Sequence, residues 1–318
     1  MLLKKILLTL CIFYSFTVTA QTEELYFDWN YKPCTPEKAR FLSIRKQTDS
    51  GWLRNDFYYT GKHPLQMRGL YQDKECKIEN GWFAFFYPNG QLSNMGRYIK
   101  KQKDGLWLGY HYNGMMSDSG LYENGQRKGT AMSWHRNGYV SDSAVYDNDG
   151  TAVCVSWFDN GQPAEYGRKL NGKKEGKWQF FSKEGNKAAT EEYAEDKLIS
   201  RVYFDEKGNA LTDTANRDAP ASFTGGIKGW QTYVYKNLQF PRGYKLTNTE
   251  MVTVVVAALV NEDGSVTDAF VQIPFDAVFD KEALRIFRKT PLWNAGIKYN
   301  RKVKTLIRQP VTFAQQTD

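Results

Sequence analysis

The chain has 318 residues and a formal net charge of +8, with 3 histidines and 4 cysteines. This length is enough for two domains of about 150 residues each. So few histidines and cysteines leave little material for a catalytic triad or a metal centre, and the sequence contains no phosphate-binding loop or CxxC motif.

The first 20 residues predict an export signal. Lys4 and Lys5 precede an apolar segment over residues 6–18, and Ala20 supplies the small residue of a cleavage site. Cleavage after Ala20 would make the mature protein periplasmic, so nucleic acid is not an expected partner. Two alternatives remain open: a lipoprotein anchored through Cys11, and an uncleaved inner-membrane anchor, although the apolar segment is shorter than the roughly 20 residues that span a bilayer.

Residues 21–50 are predicted to form an N-terminal cap region, with a strand over Glu23–Tyr31 and a short helix over Pro36–Lys46. Residues 212–224 are polar and contain Asp, Asn and Pro. This composition predicts a linker between two domains.

Residues 51–211 are predicted to form a repeat array. Glycines recur at intervals of 23 or 24 residues after a first interval of 29, and several follow Asn and a pair of aromatic residues. A fixed period marks a repeat architecture, and Asn-Gly between β-rich segments is a strong hairpin signal. A single hairpin is unstable in water, so neighbours are expected to stack and bury their aromatic residues. The glycines are Gly61, Gly90, Gly114, Gly138, Gly161, Gly185 and Gly208.

These hairpins resemble MORN-type repeats of the short bacterial variant. The resemblance implies a scaffold or an interaction surface and implies no catalytic activity. The tryptophans of the array are candidates for binding glycan or peptide, but packing between stacked hairpins is the favoured interpretation. They are Trp82, Trp107, Trp134, Trp157 and Trp178.

His111 and His135 occupy equivalent positions one repeat apart. Equivalent strands lie about 10 Å apart, whereas two zinc ligands must each come within about 2 Å of the metal. We therefore interpret both histidines as members of an aromatic row and expect no metal, no cofactor and no enzymatic activity. Among the remaining cysteines, Cys34 and Cys76 are the favoured disulfide pair, because Cys154 lies within a repeat strand.

Residues 225–318 predict a second domain. The predicted order is helix, strand, strand, helix, strand, which is a small α+β unit. Pro310 in the last strand indicates a sheet edge, since proline cannot donate to a ladder. The fold class is therefore mainly β: stacked hairpins followed by two helices on a three-stranded antiparallel sheet. The predicted elements are Gly229–Leu238, Met251–Val260, Ser265–Ile273, a helix from Asp276 that Pro291 ends, and Lys302–Phe313.

A series of segments in this part of the chain resembles the C-terminal domain of the TonB family, in family order. They are Phe223, Gly225-Gly226, Tyr235–Pro241, Val252–Val254, Asp263–Val266, Asp280–Arg285, Pro291–Trp293 and Pro310–Phe313. Two departures are Leu238, where the best-studied members have proline, and Asn294-Ala295, where the family usually has a Pro-Gly or Pro-Ala pair after the residue that matches Trp293.

The resemblance implies capture of an extended peptide, which pairs with a sheet edge as an added strand. The implied docking residues are Lys302, Lys304, Thr305, Leu306, Ile307 and Arg308, and the implied motif near the partner is Gln239, Phe240 and Pro241. The basic residues of this strand favour a peptide with acidic residues. The alternative is an edge covered by the repeat array or by a second copy, as in a homodimer through this domain.

We therefore expect a periplasmic adaptor or scaffold that binds a periplasmic or outer-membrane protein, with a TonB-dependent receptor as one candidate. One alternative is an anchored energy transducer for TonB-dependent transport. A third hypothesis is a protein that binds cell-wall glycan, with peptidoglycan as the partner.

Overall fold

The structure, a computed structural model, describes residues 22–247 and 249–315. The predicted export signal lies outside these residues. Neither helix of the described chain has the length and apolar composition needed to cross a membrane.

Fifteen strands form one antiparallel sheet in which every strand pairs with its neighbours in sequence. This sheet, the repeat sheet, confirms the predicted stack of hairpins and extends it to the N-terminal region. Its strands are Thr22–Phe27 (β1), Phe41–Thr48 (β2), Gly51–Tyr58 (β3), Leu65–Tyr71 (β4), Glu79–Phe86 (β5), Leu92–Ile99 (β6), Gln102–Tyr110 (β7), Met116–Glu123 (β8), Gln126–Trp134 (β9), Val140–Tyr146 (β10), Thr151–Trp157 (β11), Pro163–Leu170 (β12), Lys173–Phe181 (β13), Lys187–Ala194 (β14) and Lys197–Tyr203 (β15).

Two kinds of turn alternate along the repeat sheet. The predicted Asn-Gly turns place glycine at positive φ, as at Gly90 (φ 84°). The hairpins are joined by two-residue turns such as Lys100-Lys101, where both residues have positive φ and Ile99 pairs with Gln102. Such turns match the twist of the flanking strands, so consecutive hairpins merge into one continuous sheet.

The predicted helix over Pro36–Lys46 is wrong. A 3-10 turn covers Pro36–Lys38, and the chain then enters β2, where Phe41 is buried and pairs with Tyr58 of β3. Pairing with β3 therefore determines the conformation of this segment, and β1 and β2 are the first strands of the repeat sheet.

The predicted disulfide between Cys34 and Cys76 is not present. All three cysteines of the described chain are free. Cys76 is buried among the aromatic side chains of Trp52 and Tyr71. Cys34 lies in the connection between β1 and β2.

The C-terminal domain contains the predicted helices and three-stranded sheet. Its elements are Gly226–Asn237 (α1), Met251–Val260 (β16), Val266–Ile273 (β17), Ala277–Arg288 (α2), Gly296–Lys298 (β18), Arg301–Val303 (β19) and Thr305–Ala314 (β20). The strands of the sheet lie in the order β17-β16-β20. The last predicted strand is interrupted at Lys304, where the chain leaves the short hairpin β18–β19 and enters β20.

The core of this domain lies between its sheet and its helices. Alternate residues of β16, including Val254 and Val256, are fully buried together with Phe279 and Phe287 of α2. Asp276 caps α2 by accepting a hydrogen bond from the N–H of Val278, which satisfies one unpaired donor of the first turn.

Strand β16 is buried on both faces, as its uninterrupted apolar sequence predicts. The helices cover one face, and the repeat sheet covers the other. Phe270 of β17, for example, stacks on Tyr112 at a centroid distance of 4.4 Å and meets Tyr87 edge to face at 5.8 Å.

Candidate functional site

Strand β20 is an edge strand whose outer side pairs with no other strand of the described chain. The N–H of Gln315 donates to Glu250 O one step beyond the ladder in which Met251 pairs with Ala314. Bonded and non-bonded pairs alternate in an antiparallel ladder, so the odd-numbered residues of β20 bond to β16. The even-numbered residues direct their backbone groups outward: Leu306, Arg308, Pro310, Thr312 and Ala314.

Two contacts agree with this alternation. Thr253, the partner of Thr312, directs its carbonyl away from β20, where Arg40 donates to it at 2.7 Å. Pro310, which has no N–H, takes an outward position where no ladder bond is lost. The outer side of β20 is therefore a row of unpaired backbone groups suited to an added strand.

A groove of about 910 Å³ lies between the outer side of β20 and helix α1. Ile227, Gln231 and Tyr235 of α1 share one stripe at intervals of four residues and line the groove. Ile227 is 79% exposed and Tyr235 is 88% exposed. This stripe, which is apolar at Ile227 and Tyr235, lies beside an unpaired strand edge and can receive side chains of a peptide whose backbone pairs with β20.

The structure places the predicted docking residues in four different situations. Leu306 and Arg308 are exposed on the outer row of β20, whereas Thr305 and Ile307 direct their backbone groups to β16. Lys304 donates to Asp159 Oδ2 of the repeat sheet at 2.6 Å. Lys302 is exposed in β19 and lies outside β20.

The Gln239-Phe240-Pro241 motif follows α1 at one end of the groove. Phe240 lines the groove and meets Phe279 edge to face at 5.4 Å. The N–H of Gln239 donates to Glu282 of α2 at 2.8 Å. The motif therefore sets the position of the groove end relative to α2.

A row of side-chain donors runs along the repeat sheet. A side chain at the end of alternate strands, or directly after the strand, donates to the carbonyl at the equivalent point of the next repeat. Tyr87 donates to Tyr110 O at 2.9 Å, and His111 Nε2 bonds to Trp134 O at 2.7 Å. Tyr58 and His135 make the same contact with Phe86 O and Trp157 O. We call these contacts the donor row.

The donor row explains the two equivalent histidines. Each ring nitrogen serves a backbone carbonyl, and burial lowers the pKa of His111, which favours its neutral form. Within the described residues, no group of three or more His, Cys, Asp and Glu side chains is placed to hold a metal ion.

The donor row ends where its next two positions hold Phe158 and Ser182. Arg301 Nη1 bonds to Phe181 O, the carbonyl that Phe158 cannot serve, and the guanidinium lies 5.2 Å from the Phe158 ring centroid. Asn300 Nδ2 donates at 3.1 Å to Phe204 O, which is the carbonyl that a donor at the position of Ser182 would bind. The β18–β19 hairpin, the docking hairpin, therefore binds the two carbonyls that the repeats leave open.

Tyr299 at the tip of the docking hairpin fills a cleft of the repeat sheet. Its ring stacks on Phe180 at 3.7 Å, and its hydroxyl accepts a hydrogen bond from Lys174 Nζ at 2.8 Å. Burial among these rings lowers the pKa of Lys174 to about 8.

Arg40 makes a second connection between the two domains. It is 6% exposed, bonds to the carbonyls of Thr253 and Pro274, and lies over the ring of Phe275. Sequence analysis did not identify Arg40, Tyr299 or Arg301, because their partners lie far away in the chain: backbone carbonyls for the two arginines, and Phe180 and Lys174 for Tyr299. The sequence did offer one signal for the Arg301 contact: Phe158 stands at the position where earlier repeats have Tyr or His.

Asp280 is a partly buried carboxyl near Arg40, and we expect it to make stability depend on pH. Burial raises its pKa to about 6, against about 3.9 in an unfolded chain, although the N–H of Phe275 and Arg40 oppose this shift. Between about pH 6 and about pH 3.9 the folded protein therefore binds a proton at Asp280 that the unfolded chain does not bind. The free energy of unfolding consequently rises as the pH falls from 7 to 5.

The measurement compares urea unfolding of the wild type and Asp280→Asn at pH 7 and pH 5. The stability of the wild type relative to the variant should increase by about 1 kcal/mol at the lower pH. An unchanged difference between the two proteins would contradict the raised pKa.

Comparison with known proteins found a family match for part of the chain, and no curated protein matched it. Residues 237–314 match the family model described as Gram-negative bacterial TonB protein C-terminal. The match begins at the last residue of α1 and ends at the last residue of β20. It supports the predicted TonB C-terminal domain, a TonB-like role in protein interaction or transport, and an association with the cell envelope. Such domains typically interact with outer-membrane proteins such as TonB-dependent receptors.

Proposed function

We propose that this chain, with a TonB C-terminal domain at residues 237–314, is a periplasmic adaptor that captures an extended peptide along β20. The observation that carries the proposal is the outward row of backbone groups from Leu306 to Ala314, facing a groove walled by α1. An added strand would satisfy these groups, and the groove would select its side chains.

The partner we propose is a segment of an outer-membrane or periplasmic protein, with a TonB-dependent receptor as the first candidate. Arg308 on the outer row favours an acidic side chain in the peptide. Ile227 and Tyr235 favour an apolar side chain on the neighbouring position. The peptide should therefore combine both kinds of residue.

We propose that the repeat sheet is a MORN-like scaffold that holds this domain and that the chain is not an enzyme. Support comes from the buried contacts of Arg40 and Arg301, which tie the two domains together. The family match also favours one alternative, an anchored energy transducer. That function requires the N-terminal segment to be retained, which N-terminal sequencing of the exported protein would distinguish from cleavage after Ala20.

Replacing Thr312 by proline is expected to weaken peptide binding by more than about tenfold. The change removes an outward N–H in the groove and adds a ring that obstructs an incoming strand, while the ladder to β16 is retained. Ile307 is unsuitable for this test because its N–H faces β16. The measurement is the affinity of peptides that the wild-type chain selects from a displayed library of extended octapeptides.

Thr312→Val is the matched control, because it removes the hydroxyl that contacts Thr253 but keeps the N–H. It should bind the selected peptides as the wild type does. Unchanged affinity of these peptides for Thr312→Pro would contradict the role of β20 as the docking strand, provided that circular dichroism shows the variant to be folded.

A further inference from the structure

The face of the repeat sheet that contacts the C-terminal domain has two clefts, and the floors of these clefts are built in the same way. Trp107 and Trp178 each lie against a glycine of the preceding strand, where a Cβ would come within 2.2 Å of the ring. Each indole Nε1 donates at 3.0 Å to the carbonyl of an arginine, Arg97 or Arg168. The two sites are therefore structural equivalents three repeats apart.

A lysine and a tyrosine lie next to the tryptophan in each cleft. Lys103 Nζ lies 4.3 Å from the Trp107 ring centroid and 5.0 Å from that of Tyr122. In the other cleft Lys174 Nζ lies 4.4 Å from Trp178 and 4.9 Å from Tyr193. Each lysine is thus held over an aromatic floor by cation–π contacts.

The two clefts differ in their contents. Tyr299 fills the Trp178 cleft, and its hydroxyl satisfies Lys174. The Trp107 cleft is an open volume of about 380 Å³. Within the described chain, Lys103 Nζ has no hydrogen-bond acceptor or carboxylate partner, and the hydroxyl of the half-buried Tyr98 has no partner either.

The open cleft is more polar at the position where Phe180 lines the filled cleft. Phe180, which stacks on Tyr299, is replaced by Gly109, and the space beside Gly109 holds the carboxylate of Asp118. One oxygen of that carboxylate accepts from Ser117, and Asn94 lines the same wall. Stacking surface for a phenol ring has been exchanged for hydrogen-bonding groups.

A second docking hairpin does not fit the open cleft. The carbonyls equivalent to those that Asn300 and Arg301 bind are Trp134 O and Tyr110 O. These are already occupied by His111 and Tyr87 of the donor row. The open cleft therefore lacks the acceptors that hold the docking hairpin in place.

We propose that the Trp107 cleft binds a hydroxyl-rich ring, namely a saccharide unit. Lys103 donates to a ring hydroxyl as Lys174 donates to the hydroxyl of Tyr299. Asp118 accepts from a neighbouring hydroxyl, and the Tyr98 hydroxyl and Asn94 amide bond to the remaining ones. The exposed parts of the Tyr98 and Tyr122 rings provide the apolar contact that the ring face needs.

The test titrates the full chain with three soluble trisaccharides: chitotriose, maltotriose and trigalacturonate. Calorimetry should detect one saturable site for at least one of them. Lys103→Met and Asp118→Asn, which keep the side-chain volume, should each lower that affinity about tenfold, and Tyr98→Phe about threefold. Saturation-transfer NMR on the bound sugar provides a second readout.

Two controls keep this site separate from the peptide groove. Lys177→Met removes a lysine from the opposite face of the sheet and should leave the affinity unchanged, as should Thr312→Pro. Absence of binding by all three sugars overturns the proposal, as does binding that the cleft variants do not weaken. Binding of an octapeptide copy of residues 296–303, lost in Lys103→Met, would also overturn it and show a tyrosine site.

Discussion

Replacing Arg301 by alanine is expected to lower the free energy of unfolding of the full chain by about 3 kcal/mol. The guanidinium is the partner of Ala164 O, Phe181 O and the Glu165 carboxylate, and its side chain is 8% exposed. Its loss would leave the two carbonyls without this donor, and it would leave the Glu165 carboxylate, which is 25% exposed, without its cation. Urea unfolding measures the effect.

The donor row provides a rescue for this variant. In the Arg301→Ala background, Phe158→Tyr should recover about 1 kcal/mol, because a hydroxyl at this position can donate to Phe181 O as Tyr87 does to Tyr110 O. Phe158→Leu in the same background offers no donor and should recover nothing. Equal stabilities of the Tyr and Leu double variants would contradict the role assigned to the end of the row.

The second large effect is expected for Arg40→Met, which should also cost about 3 kcal/mol of unfolding free energy. Methionine keeps much of the apolar stem but leaves the carbonyls of Thr253 and Pro274 unpaired where Arg40 is 6% exposed. Differential scanning calorimetry should show a lower transition temperature for the full chain.

Lys46→Met is the control for Arg40, because Lys46 is an exposed residue of β2, the strand that begins directly after Arg40. Exposed substitutions usually change stability by less than about 0.5 kcal/mol. A similarly small change for Arg40→Met would show that this contact between the domains contributes little.

Local sequence patterns predicted most elements of the fold. The Met251–Val260 strand has the predicted bounds, and α2 ends before Pro291 as expected. The Asn-Gly turns predicted the hairpins of the array because turn chemistry acts over a few residues. The helix expected at Pro36–Lys46 was wrong because β2 is determined by pairing with β3, which a local pattern does not show.

The candidate site was less accessible from sequence. Pro310 indicated that β20 is an edge, but the pattern did not show which alternate residues face outward, and this decides between Ile307 and Thr312 as docking positions. Lys304 was expected on the docking row and instead contacts Asp159, because the chain changes direction there. The groove depends on α1 folding beside β20, a contact between segments about 80 residues apart.

The donor row has a consequence for how such a protein can change its length. The C-terminal domain is held at the position where the row ends, at Phe158 and Ser182, with Arg40 as a further contact near the N-terminus. Adding one complete hairpin pair upstream of Phe158 would lengthen the sheet without altering the Arg301 anchor, at the cost of displacing Arg40. The length of the repeat sheet can thus change separately from the attachment of the C-terminal domain. The Arg40 contact is the one that limits such a change.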